Sequence, residues 1–449
     1  MDKTKTFISF TLTGLLLIFA LIFYTLYTGF MDQAVTTDEI KEEIKDILVP
    51  ETSPGKKGVD KKGILIAEKS GPVTSVSDMK SGDVKELPDA MDINDAVNIT
   101  LLKILEENNV PVQAREAQLQ EQAVKYGELE EWLAEQEAED PLAVQVRNSL
   151  EQGDFETAEK LLLKSFEKNI ESLPEKQEQA AKDAFGLGSI RDIKLDYTEA
   201  ENYYAQAVRL DPDNSDYPNW LGCLYYKLED YPRAKDNFEK ALAIDLKVYN
   251  NNHPDLIALY SNLGETWRSL RGYEKARDYF KKSLEVGFNL YGEQHSAVSA
   301  SYDNLGLTSM DLADYKSAVD YFKKALEISL ELYGDKDPEA AVRYNNLGIA
   351  CNKLGEYENA VEYYKKALDI DLKFYGEDHP EVAIRYNNIG AALNHLGKNK
   401  EGREYLEKAL AIFTTSLGES HPYTKTLKAH LEKIENTEVR GQRSEDRGL

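Results

Sequence analysis

Apolar residues recur along this chain in two registers. Within segments they fall in helical rows, as in Leu284, Phe288 and Tyr291, in Leu326, Leu330 and Tyr333, and in Leu368, Leu372 and Tyr375. Rows at i, i+4 and i+7 predict amphipathic helices. Between segments a longer interval appears: Leu221-Gly222, Leu263-Gly264, Leu305-Gly306, Leu347-Gly348 and Ile389-Gly390 stand 42 residues apart. A fixed interval of that size predicts stacked helical units, each packing on its neighbours. Ala234, Ala276, Ala318 and Ala360 follow at the same interval, and Phe238, Phe280, Phe322 and Tyr364 lie four residues after them. Small residues facing a large one across two helices predict hairpins with a close crossing. Pro254, Pro338, Pro380 and Pro422 suit the first turn of a following helix, where a missing amide donor costs nothing.

A shorter unit precedes these. Leu187-Gly188 stands 34 residues before Leu221-Gly222 and is followed by Ala200, Tyr204, Ala207 and Pro212. The eight extra residues of the later units fall largely in the second helix, where the apolar rows continue. Gly153-Asp154-Phe155 with Ala158 marks one more hairpin upstream, and Tyr423 to Ile434 reads as a last helix without a partner. The count is seven hairpins between about Asp140 and Leu417, plus a capping helix.

Leu-Gly in a first helix, a small, an aromatic and another small residue in the second, and a closing proline resemble the tetratricopeptide repeat. The 42-residue units, with loops such as Tyr375-Gly376-Glu377-Asp378-His379-Pro380, look like the longer repeat of kinesin light chains. The resemblance implies an all-α, right-handed solenoid whose first helices line a concave groove, and a role in binding other proteins. Gly402, standing where the family has Ala, departs from the pattern in the last hairpin.

That groove supplies the candidate site. Asn262, Asn304, Asn346 and Asn388 precede the Leu or Ile of four successive units and are similar to the asparagine ladder that holds an extended peptide backbone in related repeats. A primary amide offers both a donor and an acceptor, matching a peptide unit without reading its side chain. The same amides can instead bond neighbouring helices, and both readings stand at this point. Glu265, Leu307, Ile349 and Ala391 follow the glycines, and Arg268, Met310, Asn352 and Asn394 are expected three residues on along one face. Arg268, Lys227 and Lys353 would favour a carboxylate; Leu307, Met310 and Ile349 would take an apolar side chain.

The N-terminal part reads differently. Phe7 to Phe30 is an apolar run long enough to span a hydrocarbon core, too long for a signal-peptide core and without small residues at its end. Residues 1–30 are therefore expected to be an uncleaved membrane anchor, with Lys3 and Lys5 favouring a cytoplasmic N-terminus and an extracytoplasmic repeat domain. Residues 31–90, rich in Lys, Asp, Ser, Gly and Pro, read as a flexible linker. Residues 91–139 carry two amphipathic helices. In the second, Val112, Leu119, Tyr126 and Leu133 recur every seven residues, which suits packing on the first repeat or a dimer seam, although Arg115, Gln122 and Gln136 weaken the seam. The solenoid is assigned to 140–437 and a disordered tail to 438–449.

Charge narrows the partners. Of 449 residues 30% are charged, with a net charge of -26, so nucleic acid would be repelled. Cys223 and Cys351 lie three units apart, too far to bridge. His253, His379 and His421 occupy one loop position in separate repeats, not one metal cluster. Phosphate-loop, zinc-helix and nucleophile-elbow motifs are absent, so no cofactor and no enzymatic activity are expected. The reading is a membrane-anchored module that binds an extended protein segment and recruits or assembles a complex. A self-associating scaffold and a regulatory subunit of a separately encoded enzyme are the alternatives.

Overall fold

The computed structural model describes residues 95–136, 140–172, 176–249, 252–334, 338–419, 421–429 and 431–432. The expected anchor (1–30), linker (31–90) and tail (438–449) lie outside the described residues. Among the described residues, no helix is long and apolar enough to cross a membrane.

All regular structure among the described residues is helical. Helices α1 (Asp95–Glu107) and α2 (Val112–Gln136) come first. Four hairpins follow: α3 (Pro141–Glu151) with α4 (Phe155–Glu171), α5 (Gln177–Ile193) with α6 (Tyr197–Leu210), α7 (Asp216–Lys227) with α8 (Tyr231–Val248), and α9 (Pro254–Ser269) with α10 (Tyr273–Tyr291). Three more pair α11 (Ser296–Asp311) with α12 (Tyr315–Tyr333), α13 (Pro338–Leu354) with α14 (Tyr357–Tyr375), and α15 (Pro380–His395) with α16 (Asn399–Ser416). A last helix, α17, spans 422–429. The chain divides into two compact units, the boundary among the described residues falling between Leu290 and Tyr291. In each, successive hairpins pack first helix against second.

The crossings are as close as the small-against-large pattern requires. A Cβ added to Gly222 would lie 2.7 Å from the Phe238 ring; on Gly264, Gly306 and Gly348 it would lie 2.5 Å from Phe280, Phe322 and Tyr364. Gly402 has its own reason: the Asn394 amide occupies the space a side chain there would need. The longer unit is built as expected, since α6 has 14 residues while α8 has 18 and α10, α12 and α14 have 19. Turns between paired helices are set by acids: Asp154, Asp196, Asp230 and Asp314 accept from amides of the first turn of the second helix, satisfying donors a helix leaves orphaned.

The first two helices belong to the first unit and are not a separate stalk. Thr100 of α1 donates to the Gly153 carbonyl at 3.0 Å, and Asn108 reaches the Lys194 carbonyl at 3.4 Å. Leu119, Tyr126, Leu129 and Leu133 of α2 are all at most 7% exposed. The heptad row that suited a dimer seam thus has Leu119, Tyr126 and Leu133 buried inside the chain. It was expected on the first repeat alone; α2 in fact extends across α3 and α5 and reaches Lys227 of α7.

Candidate binding surface

The first helix of each hairpin turns one side to its partner and leaves another open. On α13, Leu347, Gly348, Ala350 and Cys351 are buried, while Val342, Asn346 and Ile349 are half-buried and Lys353 is exposed. The last four sit at intervals of four, three and four residues, on one helical face. On α15 the corresponding residues are Asn388 and Ala391, both half-buried, and exposed His395.

The four ladder asparagines do not share one environment. Asn262 is fully buried, and its amide donates to Asn219 Oδ1 at 3.1 Å. Asn388 does the same to Asn345 Oδ1 at 3.0 Å. Both therefore bond the first helix of the preceding hairpin, 43 residues upstream. Asn304 is 1% exposed, and neither of its amide atoms has a partner among the described residues. Asn346 is half-buried, and no side-chain hydrogen bond joins it to another described residue. Of the four, Asn346 alone offers an accessible, unspent amide.

The other candidates divide between groove and hairpin interior. Lys353 is exposed, Leu307 is 9% exposed, and Met310 packs half-buried against the apolar core. Arg268, expected to meet a ligand carboxylate, is 5% exposed and paired with buried Glu265 at 3.3 Å. Asn394 is enclosed against Gly402, with both amide atoms unpaired among the described residues. Arg268 and Asn394, expected to continue the groove, lie four residues after a glycine that faces the second helix and share its inward side, whereas Met310 and Asn352 at the same position are half-buried. Lys227 does hold a carboxylate, but one supplied by Glu121 of the same chain.

Two arginines absent from the sequence reading organise the second unit. Arg343 donates to Asp303 at 2.8 Å, Ser329 at 3.1 Å and Glu339 at 3.0 Å. Arg385 pairs with Asp371 at 2.8 Å and Glu381 at 2.9 Å. Burial pushes the carboxyls of Asp303 and Asp371 up to about 6, with Arg343 and Arg385 opposing the shift. The signal was present: both arginines stand four residues before the Leu or Ile of the repeat, 42 residues apart.

Histidine does structural work at the helix entrances. His253, His295, His379 and His421 each accept, through Nδ1, an amide N–H of the following helix, at 3.1 to 3.4 Å. Among them His379 is buried, stacked at 4.1 Å on Tyr375, and held down at about 4 by burial and by Arg385. It binds fewer protons folded than unfolded, so its stabilisation is present above its usual value of 6.5 and is lost as pH falls towards 4. A His379→Asn chain, which keeps a capping oxygen but cannot titrate, is expected to lose less stability over that window. The gap between the two denaturation profiles should approach 3 kcal/mol, on the order of the 1.36 kcal/mol per pKa unit of linkage. Parallel profiles would show that His379 is not buried neutral.

Paired helices with close glycine crossings and an open first-helix face define a repeat protein of the interaction type. Models of the tetratricopeptide repeat match residues 179–245, 217–287, 268–331, 296–373, 342–394 and 382–423, which together run without a gap from 179 to 423. The chain belongs to the tetratricopeptide repeat proteins, whose repeats typically serve as protein-interaction modules. Among solved structures, it is similar to a putative kinesin light chain of Podosopora anserina with nearly identical TPR-like repeats (19% identity, 46% of this chain and 98% of that one, TM-score 0.43). A tetratricopeptide repeat protein of Parabacteroides merdae matches at 18% identity over 66% of this chain and 97% of that one, with TM-score 0.44. YrrB, described as a TPR protein with an unusual peptide-binding site, matches at 19% identity over 51% and 97%, with TM-score 0.36.

Proposed function

We propose that the chain is a membrane-tethered binding module that captures an extended segment of a partner protein on the open face of α13 and α15. The observation that carries this reading is Asn346, whose half-buried amide has no hydrogen-bond partner among the described residues. It is flanked by Val342 and Ile349, able to cover an apolar side chain, and by Lys353, able to meet a carboxylate. A backbone unit accepted and donated to by one amide is bound without regard to sequence, while the flanking residues select. Tethering rests on the apolar run from Phe7 to Phe30, and an extracytoplasmic repeat domain on Lys3 and Lys5 ahead of it. Protease added to intact cells should then remove the repeats.

The test of the site is a photocrosslinking residue at Val342, with the captured partner identified from cells. Asn346→Ala should abolish that crosslink while leaving the melting temperature unchanged, because the amide bonds no other described residue. Undiminished crosslinking in Asn346→Ala would defeat the groove reading.

A further inference from the structure

The first helices of the first three hairpins present a face that is already covered, and what covers it defines a ligand. Helix α2 runs across it against the direction of the stack. Its C-terminal part lies on α3: Trp132, Leu133 and Gln136 border a small cavity with Leu142 and Ala143 of α3 and Gln179 of α5. One turn back, Trp132 meets Phe185 of α5 edge-on at 4.9 Å, and Lys125, Glu128 and Leu129 border a second small cavity with Phe185, Asp192 and Trp220. Farther back, Lys125 pairs with Asp192 of α5, and Glu121 pairs with Lys227 of α7. The Lys227 ammonium also lies 4.5 Å from the Tyr197 ring centre. From Glu121 to Leu133 a helix rises roughly 18 Å, about two interhelical spacings of 9 Å. That length lets one helix reach all three hairpins.

This contact is matched in charge yet imperfectly closed. Lys227 and the neighbouring Lys125 hold the Glu121 carboxyl below its ordinary range despite burial. Beside it Gln122 is fully buried, and neither of its amide atoms has a partner among the described residues. An enclosed, unpaired amide carries a desolvation cost that water would return on opening. Two cavities along the same contact forfeit packing as well.

We propose that the first-helix face of α3, α5 and α7 is a receptor for an amphipathic helix of a partner protein, occupied in the resting chain by α2. The helix it fits carries an acid to meet Lys227, an apolar residue next to it, a base four residues after the acid to meet Asp192, and large apolar residues eight and eleven after the acid. An apolar residue beside the acid is what a competitor gains over α2, since it leaves no amide unpaired. The surface is distinct from the α13 and α15 face and stands or falls separately from it.

The test uses the full chain and a fluorescent synthetic peptide with the sequence of residues 112–136 carrying Gln122→Leu. It should bind saturably, about tenfold tighter than the unaltered peptide, the ratio expected for about 1.4 kcal/mol. Adding Glu121→Lys to the peptide should weaken binding at least tenfold, and a Lys227→Glu chain should restore it. In the unaltered chain without peptide, amides of α2 should exchange with deuterium at least tenfold faster than those of α5, and Gln122→Leu in the chain should slow them. Absence of binding, indifference to the charge swap, or α2 as protected as α5 would each overturn the proposal. So would a concentration-dependent dimer that excludes the peptide, since a second copy would then be the occupant.

Discussion

Replacing Arg343 with Met is expected to destabilise the second unit by about 3–5 kcal/mol at neutral pH, the usual cost of removing one partner from a buried ion pair. The side chains of Arg343 and Asp303 are each 4% exposed, and Glu339 is 9% exposed, so water cannot take the arginine's place. Met keeps the volume but removes the donors that now serve Asp303, Ser329 and Glu339. The loss should shrink on acidification, because Asp303 titrates near 6 even with the arginine present, and without it would take up a proton at higher pH still. Asp303→Asn added to Arg343→Met should recover part of the stability at pH 7 and almost none at pH 5. Denaturant unfolding at the two pH values measures this. A loss under 1 kcal/mol at pH 7 would mean that the triad is hydrated and structurally idle.

The fold was legible because packing imposes a period. A hairpin can close to glycine distance only where a large ring lies opposite, so Leu-Gly and the later aromatic had to recur together, and the 42-residue interval exposed both. The same period also carried information that went unused. Tyr260 with Tyr279, Tyr302 with Tyr321, Tyr344 with Tyr363 and Tyr386 with Tyr405 pair within their hairpins at 5.9 to 6.3 Å, with Lys282, Lys324, Lys366 and Lys408 over them. These positions were passed over in sequence, because a tyrosine with one polar end suits surface and interior alike.

The site was legible only by residue type. An asparagine satisfied by a neighbouring helix and one left open have the same letter, and the difference lies in whether an acceptor waits 43 residues upstream. Asn219 and Asn345 supply it for Asn262 and Asn388. Upstream of Asn346 stands Asp303, whose Oδ2 is held by Arg343 and whose Oδ1 has no partner among the described residues, so no bond to Asn346 forms there. A charge inserted into an apolar helical row was therefore the more informative signal, since burial leaves an arginine no alternative but a carboxylate. The placement of α2 could not be read from its heptad row, which states that a face is buried but not against what. The charged residues beside that row held the answer, Lys125 and Glu121 being matched to Asp192 and Lys227 of two different hairpins.

Gly306→Leu tests the packing rule on which the whole array depends. Leucine improves helix propensity over glycine by up to about 1 kcal/mol, so an unpacked site would be stabilised. The Phe322 ring opposes this, with Cε1, Cδ1 and Cζ at 2.5, 2.6 and 2.9 Å from the position a Cβ would take. Phe322 is 1% exposed and has nowhere to swing, so the hairpin must separate, and a net loss of about 1–3 kcal/mol or more is expected. Because each hairpin also supports its neighbours, separation of α11 from α12 should loosen α13 as well. Hydrogen exchange in α13 should therefore rise together with that in α11. The cause can be isolated with a smaller step: Gly306→Ala alone should destabilise, whereas Gly306→Ala with Phe322→Leu should cost less than the sum of the two single changes, because the shorter side chain frees the space the methyl enters. Additive losses, or a melting temperature unchanged by Gly306→Leu, would mean that the glycines mark the repeat without setting the distance between its helices.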